Sequence, residues 1–169
     1  MDEQEYYKLL LEQYKIMVGS SEKVTEQRQK ANAFFLTIVT TLISISILIG
    51  KAFEFTFIAM IFFILLTILN LVIINFWGTM IESYRKLNKG KFVLIFELEQ
   101  KLKANLFERE WEILTNKNNI NYVPNTETEI KVVRLFKYFT YLMLIGEVLY
   151  VFFLIYKYFF CCCCCYYFL

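Results

Sequence analysis

The sequence has no histidine, one proline, five glycines and, among its 16 acids, a single aspartate, Asp2. Without His there is no Ser–His or Cys–His pair, no imidazole base near neutral pH and none of the commonest metal ligand. Cysteine occurs only as one run at 161–165, so no disulfide framework ties distant segments together. Charged residues are 20% of the chain, below the roughly 25% of soluble domains. A net charge of +2 is too small for a nucleic-acid binder, and no duplex is expected as a partner. The chain also lacks a glycine-rich phosphate loop, paired catalytic acids and any metal-ligand spacing. Neither catalysis nor a cofactor or metal is expected; only a pocket around Glu97, Glu99 and Glu110 that bound a metal would change that.

What is abundant is apolar: 58% of 169 residues, with 18 Phe and 12 Tyr. The length suits one domain, and the composition is that of a membrane protein. Crossing the hydrocarbon core takes about 20 mostly apolar residues. Three stretches qualify: 33–50, 55–77, and 138–160, which carries Glu147 and Lys157. Only Lys51, Ala52, Phe53 and Glu54 separate the first two, so they form a tight antiparallel hairpin. The first stretch follows a charged segment and is itself followed at once by another span, which argues against a cleaved signal peptide.

Basic residues orient the spans. Lys15, Lys23, Arg28, Lys30, Arg85, Lys86, Lys89, Lys91, Lys131, Arg134 and Lys137 flank one side, and only Lys51 and Lys157 the other. This bias puts the N-terminus and residues 78–137 in the cytoplasm, with the hairpin tip and C-terminal tail outside.

The expected fold is an all-α membrane protein built as a ring-like homo-oligomer, because one hairpin cannot enclose an aqueous path alone. Tyr7, Leu10, Tyr14 and Met17 line one face of an amphipathic cytoplasmic helix in residues 1–20, which Gly19-Ser20-Ser21 should end. Residues 21–88 form the long-helix transmembrane hairpin, stopped at Asn88-Lys89-Gly90. Residues 89–132 form a cytoplasmic helical segment, with helices over 91–103 and around Phe107, Trp111 and Leu114, then a polar loop over 116–128. Residues 133–160 form the third transmembrane helix. The low-complexity Cys/aromatic tail, 161–169, cannot turn five adjacent thiols onto one metal, and palmitoylation would need it on the cytoplasmic side. It reads as an incidental C-terminus.

Four constellations stand out, three of them with two readings. Thr37, Thr40, Thr41 and Ser44 share an arc of about 100° on the first span. They read as a pore wall, or as a packing face whose hydroxyls bond to their own backbone. Thr67 and Asn70 share a face of the second span and suit interhelical polar contacts. Glu147 sits near the middle of the third span, where a charge is costly and usually functional. It reads as pore-lining acid, or as a neutral carboxyl joining helices. Arg28, Lys30, Arg85 and Lys86 cluster at the cytoplasmic ends of the hairpin. They are candidates for ligand binding or gating through a phosphate-bearing group or anionic lipid, or for orientation and salt bridges with Glu22, Glu26 or Glu82.

The stretch Ser21-Glu22-Lys23, Arg28, Ala31-Asn32-Ala33-Phe34-Phe35, with the later Ser83-Tyr84-Arg85-Lys86-Leu87-Asn88-Lys89-Gly90-Lys91-Phe92, resembles the RipA-type octameric bacterial membrane proteins. Glu97, Glu99 and Leu102, then Phe107, Glu110 and Trp111, then Tyr122 and Pro124 continue the likeness in order. One departure is Lys103, where the family pattern leads us to expect proline. In layout these proteins are similar to the short membrane-hairpin effectors that accompany nucleotide-signalling enzymes in anti-phage systems. The resemblance implies a homo-oligomer in the bacterial inner membrane, with the lipid bilayer and its own copies as partners. It leaves two functions open. One is a gated ion-conducting or membrane-perturbing effector in anti-phage defence, governed by a cytoplasmic signal such as a nucleotide second messenger or its synthase. The other is a non-conducting scaffold or sensor for membrane or pH homeostasis.

Overall fold

The computed structural model describes residues 2–52, 56–115 and 122–166, with side chains as far as 159. Four helices follow in order: α1 (Glu3–Ala52), α2 (Phe57–Lys101), α3 (Leu106–Thr115) and α4 (Asn125–Tyr166). At 1.5 Å per residue α1, α2 and α4 are each roughly 60–75 Å long, about twice the 30 Å hydrocarbon core. All three are long and apolar enough to cross a membrane; α3 is not. The architecture is thus a two-helix hairpin, a small helix and a third span.

Two helix ends expected from the sequence are absent. Gly19-Ser20-Ser21 lies inside α1, and Asn88-Lys89-Gly90 lies inside α2, which absorbs the separate helix expected over 91–103. The physical reason is tertiary. The Ser21 hydroxyl donates to Asn88 Oδ1 (2.7 Å), Asn88 Nδ2 donates to Thr25 Oγ1 (3.4 Å), and Lys91 Nζ donates to Ser20 Oγ (2.6 Å). Polar groups satisfied by a neighbouring helix no longer compete for their own backbone. An interior Gly costs only about 1 kcal/mol against Ala, which such contacts outweigh. The expected polar loop is also shorter: α4 begins at Asn125, so 125–128 are helical, while 116–121 lie outside the described residues. Residues 53–55 of the hairpin tip lie outside them as well. The Cys161–Cys165 backbone continues α4, and the thiol side chains lie outside the description.

The chain divides into two compact units. The first comprises Met1–Ala33 and Thr79–Ile130, and holds the charged halves of α1 and α2 with α3 and the start of α4. Its buried residues include Leu10, Val24, Ile81 and Ile95, with the polar Ser21, Arg28, Glu99 and Thr126. Tyr14, Phe92, Phe96 and Phe107 form a chain of ring contacts at 6.0–6.5 Å between centroids.

The second unit comprises Phe34–Gly78 and Lys131–Leu169 and contains the apolar stretches of all three long helices. Ala59, Met60 and Phe63 of α2 pack with Ile49 of α1 and with Val151 and Leu154 of α4. Trp77 meets Phe136 at 6.0 Å, and a side chain at Gly78 would touch Val133 at 3.4 Å. Lys137 Nζ donates to Asn75 Oδ1 (2.8 Å). These contacts set α2 and α4 antiparallel.

Candidate functional site

In the apolar unit the hydroxyl stripe of α1 is turned outward. Thr37, Thr40, Thr41 and Ser44 are all exposed, whereas Val39 and Ser46 on the opposite face are buried. The Thr40 hydroxyl donates to Leu36 O (2.9 Å) and Thr37 O (3.1 Å), and Ser44 donates to Thr40 O (2.9 Å). The Thr40 and Ser44 donors, spent on the helix's own carbonyls, leave their hydroxyl oxygens as outward acceptors. The stripe takes no part in burying the protomer's own interior.

Asn70 lies instead on the buried face of α2, 2% exposed, one turn from the equally inward Thr67. Thr67 Oγ1 donates to Glu147 Oε1 at 2.7 Å, joining the apolar stretches of α2 and α4. Glu147 Oε2 and Asn70 Oδ1 are both buried and have no hydrogen-bond partner. The spacing of Thr67 and Asn70 made their shared face readable; their meeting with Glu147 needed the helix register.

In the charged unit the four basic candidates separate. Arg28 is buried and faces α4. One of its Nη atoms donates to the Thr126 hydroxyl, and its Nε lies 3.4 Å from Glu129 Oε2 without hydrogen-bond geometry. Burial pushes the Glu129 carboxyl above the usual carboxylate range although the Arg28 charge pulls it down. Desolvation therefore outweighs the attraction. Neither Thr126 nor Glu129 was singled out by the sequence reading. The signal was Pro124 followed by Asn125-Thr126-Glu127, a helix-start pattern with acid in the first turn.

Lys30 and Arg85 stay on the surface. Lys30 bonds Glu26 (2.7 Å) and Arg85 bonds Glu82 (2.6 Å), each along its own helix. Lys30 holds Glu26, and Arg85 holds Glu82, below the usual carboxylate range. Exposed pairs of this kind contribute little to stability. Lys86 is exposed too.

Among the described residues the acid with the most hydrogen-bond partners is Glu99, 0% exposed. Its Oε1 accepts from the Tyr14 hydroxyl (3.1 Å) and the Phe107 N–H (3.1 Å), and its Oε2 accepts from the Glu108 N–H (3.4 Å). A carboxylate from α2 thus caps the N-terminus of α3, where free N–H groups and the helix dipole favour a negative charge. Burial first, then the bond to Glu99 and its charge, push the Tyr14 phenol above its ordinary range. Among the described residues no three or more His, Cys, Asp or Glu could hold a metal ion, so Glu97, Glu99 and Glu110 do not form one.

The profile of the octameric membrane protein family (8xMP) matches residues 11–159. No curated protein and no solved structure matches the chain. The match takes in all three apolar stretches but for Phe160, together with the Arg28–Glu129 contact and the Glu99 cap. The chain belongs to the octameric membrane protein family: it is a multi-span, self-associating membrane protein.

Proposed function

We propose that this member of the octameric membrane protein family is a gated effector whose copies enclose an ion-conducting or membrane-perturbing pore. The observation that carries the reading is the outward hydroxyl stripe Thr37, Thr40, Thr41 and Ser44 within an otherwise apolar span. Lipid gives hydroxyl oxygens nothing to bond, whereas water at the centre of a ring does. Glu147, the other pore-lining candidate and the single acid within the three spans, is turned to Thr67 of α2 and lends this wall no charge. The excess of Lys and Arg around the charged unit supports a cytoplasmic N-terminus, an outside C-terminus and residence in the bacterial inner membrane. The motifs shared with RipA-type proteins, and the layout shared with anti-phage hairpin effectors, favour control by a cytoplasmic signal of the nucleotide type. Lys30, Arg85 and Lys86, exposed at the ends of the hairpin, are the side chains we propose for its reception; Arg28 is engaged with Glu129 and Thr126 and would act as the gating element.

The test is ion flux from liposomes containing the purified protein, with and without cyclic and linear oligonucleotides. Flux that Thr41→Leu suppresses supports the pore and its wall. Absence of flux under every condition favours the alternative, a non-conducting oligomeric scaffold or sensor for membrane or pH homeostasis. In that case the stripe would be the face on which copies pack, and Thr41→Leu would alter assembly on size-exclusion chromatography.

A further inference from the structure

We propose that Thr67, Asn70 and Glu147 form a membrane-buried site for one monovalent cation, for which protons compete. The site is independent of the pore reading and would exist in a conducting or a silent oligomer.

The charge balance argues for it first. An ionised carboxylate inside the spans is costly unless a positive charge accompanies it. The span residues of α1, 33–50, and of α2, 57–77, contain no titratable side chain at all. On α4 the nearest titratable group is the Tyr150 phenol, one turn away. The nearest bases are Lys137 and Lys157, ten residues off in either direction, about 15 Å along the helix. Lys137 is bonded to Asn75. Among the described residues no lysine or arginine neutralises Glu147, so its charge is met by a proton or by an ion from solution.

The donor set argues for the ion. Glu147 Oε2 and Asn70 Oδ1 are buried acceptors without partners. Thr67, one turn from Asn70 on the same face of α2, brings a third oxygen to 2.7 Å from the carboxylate. Carboxylate, amide carbonyl and hydroxyl oxygens are hard ligands suited to small, hard cations. With one formal negative charge, the three are neutralised by a monovalent ion, whereas a divalent ion would leave a buried positive charge. A proton on Glu147 removes the negative charge and with it the attraction for the ion, so acid displaces the ion.

The test is equilibrium binding of radioactive sodium to the purified, assembled protein in detergent, at mildly alkaline and mildly acid pH. Saturable binding of one ion per chain is expected at alkaline pH and little in acid. Glu147→Gln should abolish it. Thr67→Val and Asn70→Leu, which remove one oxygen each and leave the carboxylate, should weaken it by about tenfold or more. Each variant is compared only if it elutes at the native oligomer size. No saturable binding by the native protein at alkaline pH overturns the proposal. So does sodium binding that survives in Glu147→Gln, or that is unchanged by both Thr67→Val and Asn70→Leu.

Discussion

The hydroxyl of Tyr14, near the start of α1, donates to the same Glu99 carboxylate oxygen that accepts the Phe107 N–H at the start of α3. One buried charge therefore fixes three segments far apart in sequence. It has no lysine or arginine partner at hydrogen-bond distance among the described residues; the N–H groups of α3 and the Tyr14 phenol serve instead. Glu99→Ala would leave those half-buried donors unanswered. The expected cost is about 2–3 kcal/mol, since removing an acceptor exposes the full desolvation penalty of its donors. Hydrogen exchange at Phe107 and Glu108 should accelerate by orders of magnitude. Tyr14→Phe removes one donor of three and should cost about 1 kcal/mol. Equal effects of the two changes would show that the cap on α3 contributes nothing.

Arg28 and Glu129 make a different kind of contact, because their facing atoms lie in salt-bridge range without a hydrogen bond. Removing one partner of such a buried pair leaves an uncompensated charge and costs about 3–5 kcal/mol, while replacing both with apolar groups is often neutral. Arg28→Met is accordingly expected to destabilise strongly, and Arg28→Met with Glu129→Leu to melt close to the native protein. A double-mutant cycle on thermal midpoints measures the difference; additive effects would contradict it.

The same carboxyl sets a pH dependence. The Glu129 pKa is raised in the folded chain above its ordinary value of 4.5. As pH rises through the interval between those values, the unfolded chain loses this proton first and then binds fewer protons than the native one. Stability falls with pH in that situation. The contribution of Glu129 is therefore fully present below the ordinary value and lost as pH climbs through the raised one. Comparing melting curves of the native protein and the double variant isolates it: the native protein should gain on the variant as the solution is acidified through this interval. A constant difference across the interval would show that Glu129 titrates normally.

Much of this was legible in the sequence because lipid imposes a simple rule. Uninterrupted apolar runs at 33–50, 55–77 and 138–160 can hardly be anything but spans, and the helices confirm their type and order. The helix ends were not legible. Gly19 and Gly90 are breakers by local propensity, but Ser20, Ser21, Asn88 and Lys91 meet across α1 and α2, a contact that no local window contains. The site residues divide along the same line. Thr67 and Asn70 share a face by spacing alone, whereas the pairing of Glu147 with Thr67, or of Arg28 with Glu129, depends on the register between helices distant in sequence.

Lys103 shows how a departure from an expected pattern is accommodated. It closes α2 with φ 56°, in the left-handed region. Its N–H bonds Gln100 O (3.2 Å), and the Ala104 N–H bonds Glu99 O (2.9 Å). That is the Schellman arrangement, in which glycine is the usual residue. A proline here would lack the N–H and could not reach a positive φ. Lys103→Gly should stabilise the charged unit by about 1 kcal/mol through relief of backbone strain. Lys103→Pro should break the turn and detach α3, seen as lost protection at Phe107 and Glu108. A neutral Lys103→Pro would mean that the α2–α3 turn is built differently.

The two interior glycines give the last expectation. A side chain at Gly19 or at Gly90 would meet nothing within 4 Å, so neither is required for close packing within the protomer. Each therefore carries only the entropic cost of glycine in a helix, about 0.5–1 kcal/mol relative to alanine. Gly19→Ala and Gly90→Ala should each raise the thermal midpoint of the assembled protein, and together act additively, because a methyl adds helix propensity without touching a neighbour. Gly78→Ala is the contrasting case. Its new methyl would lie 3.4 Å from Val133 Cγ1, at the near limit of ordinary contact, so its effect reports packing against α4 as well as propensity. If Gly19→Ala or Gly90→Ala instead weakens assembly on size-exclusion chromatography, that glycine is where a second copy approaches the helix backbone, and its conservation of space serves the oligomer rather than the fold.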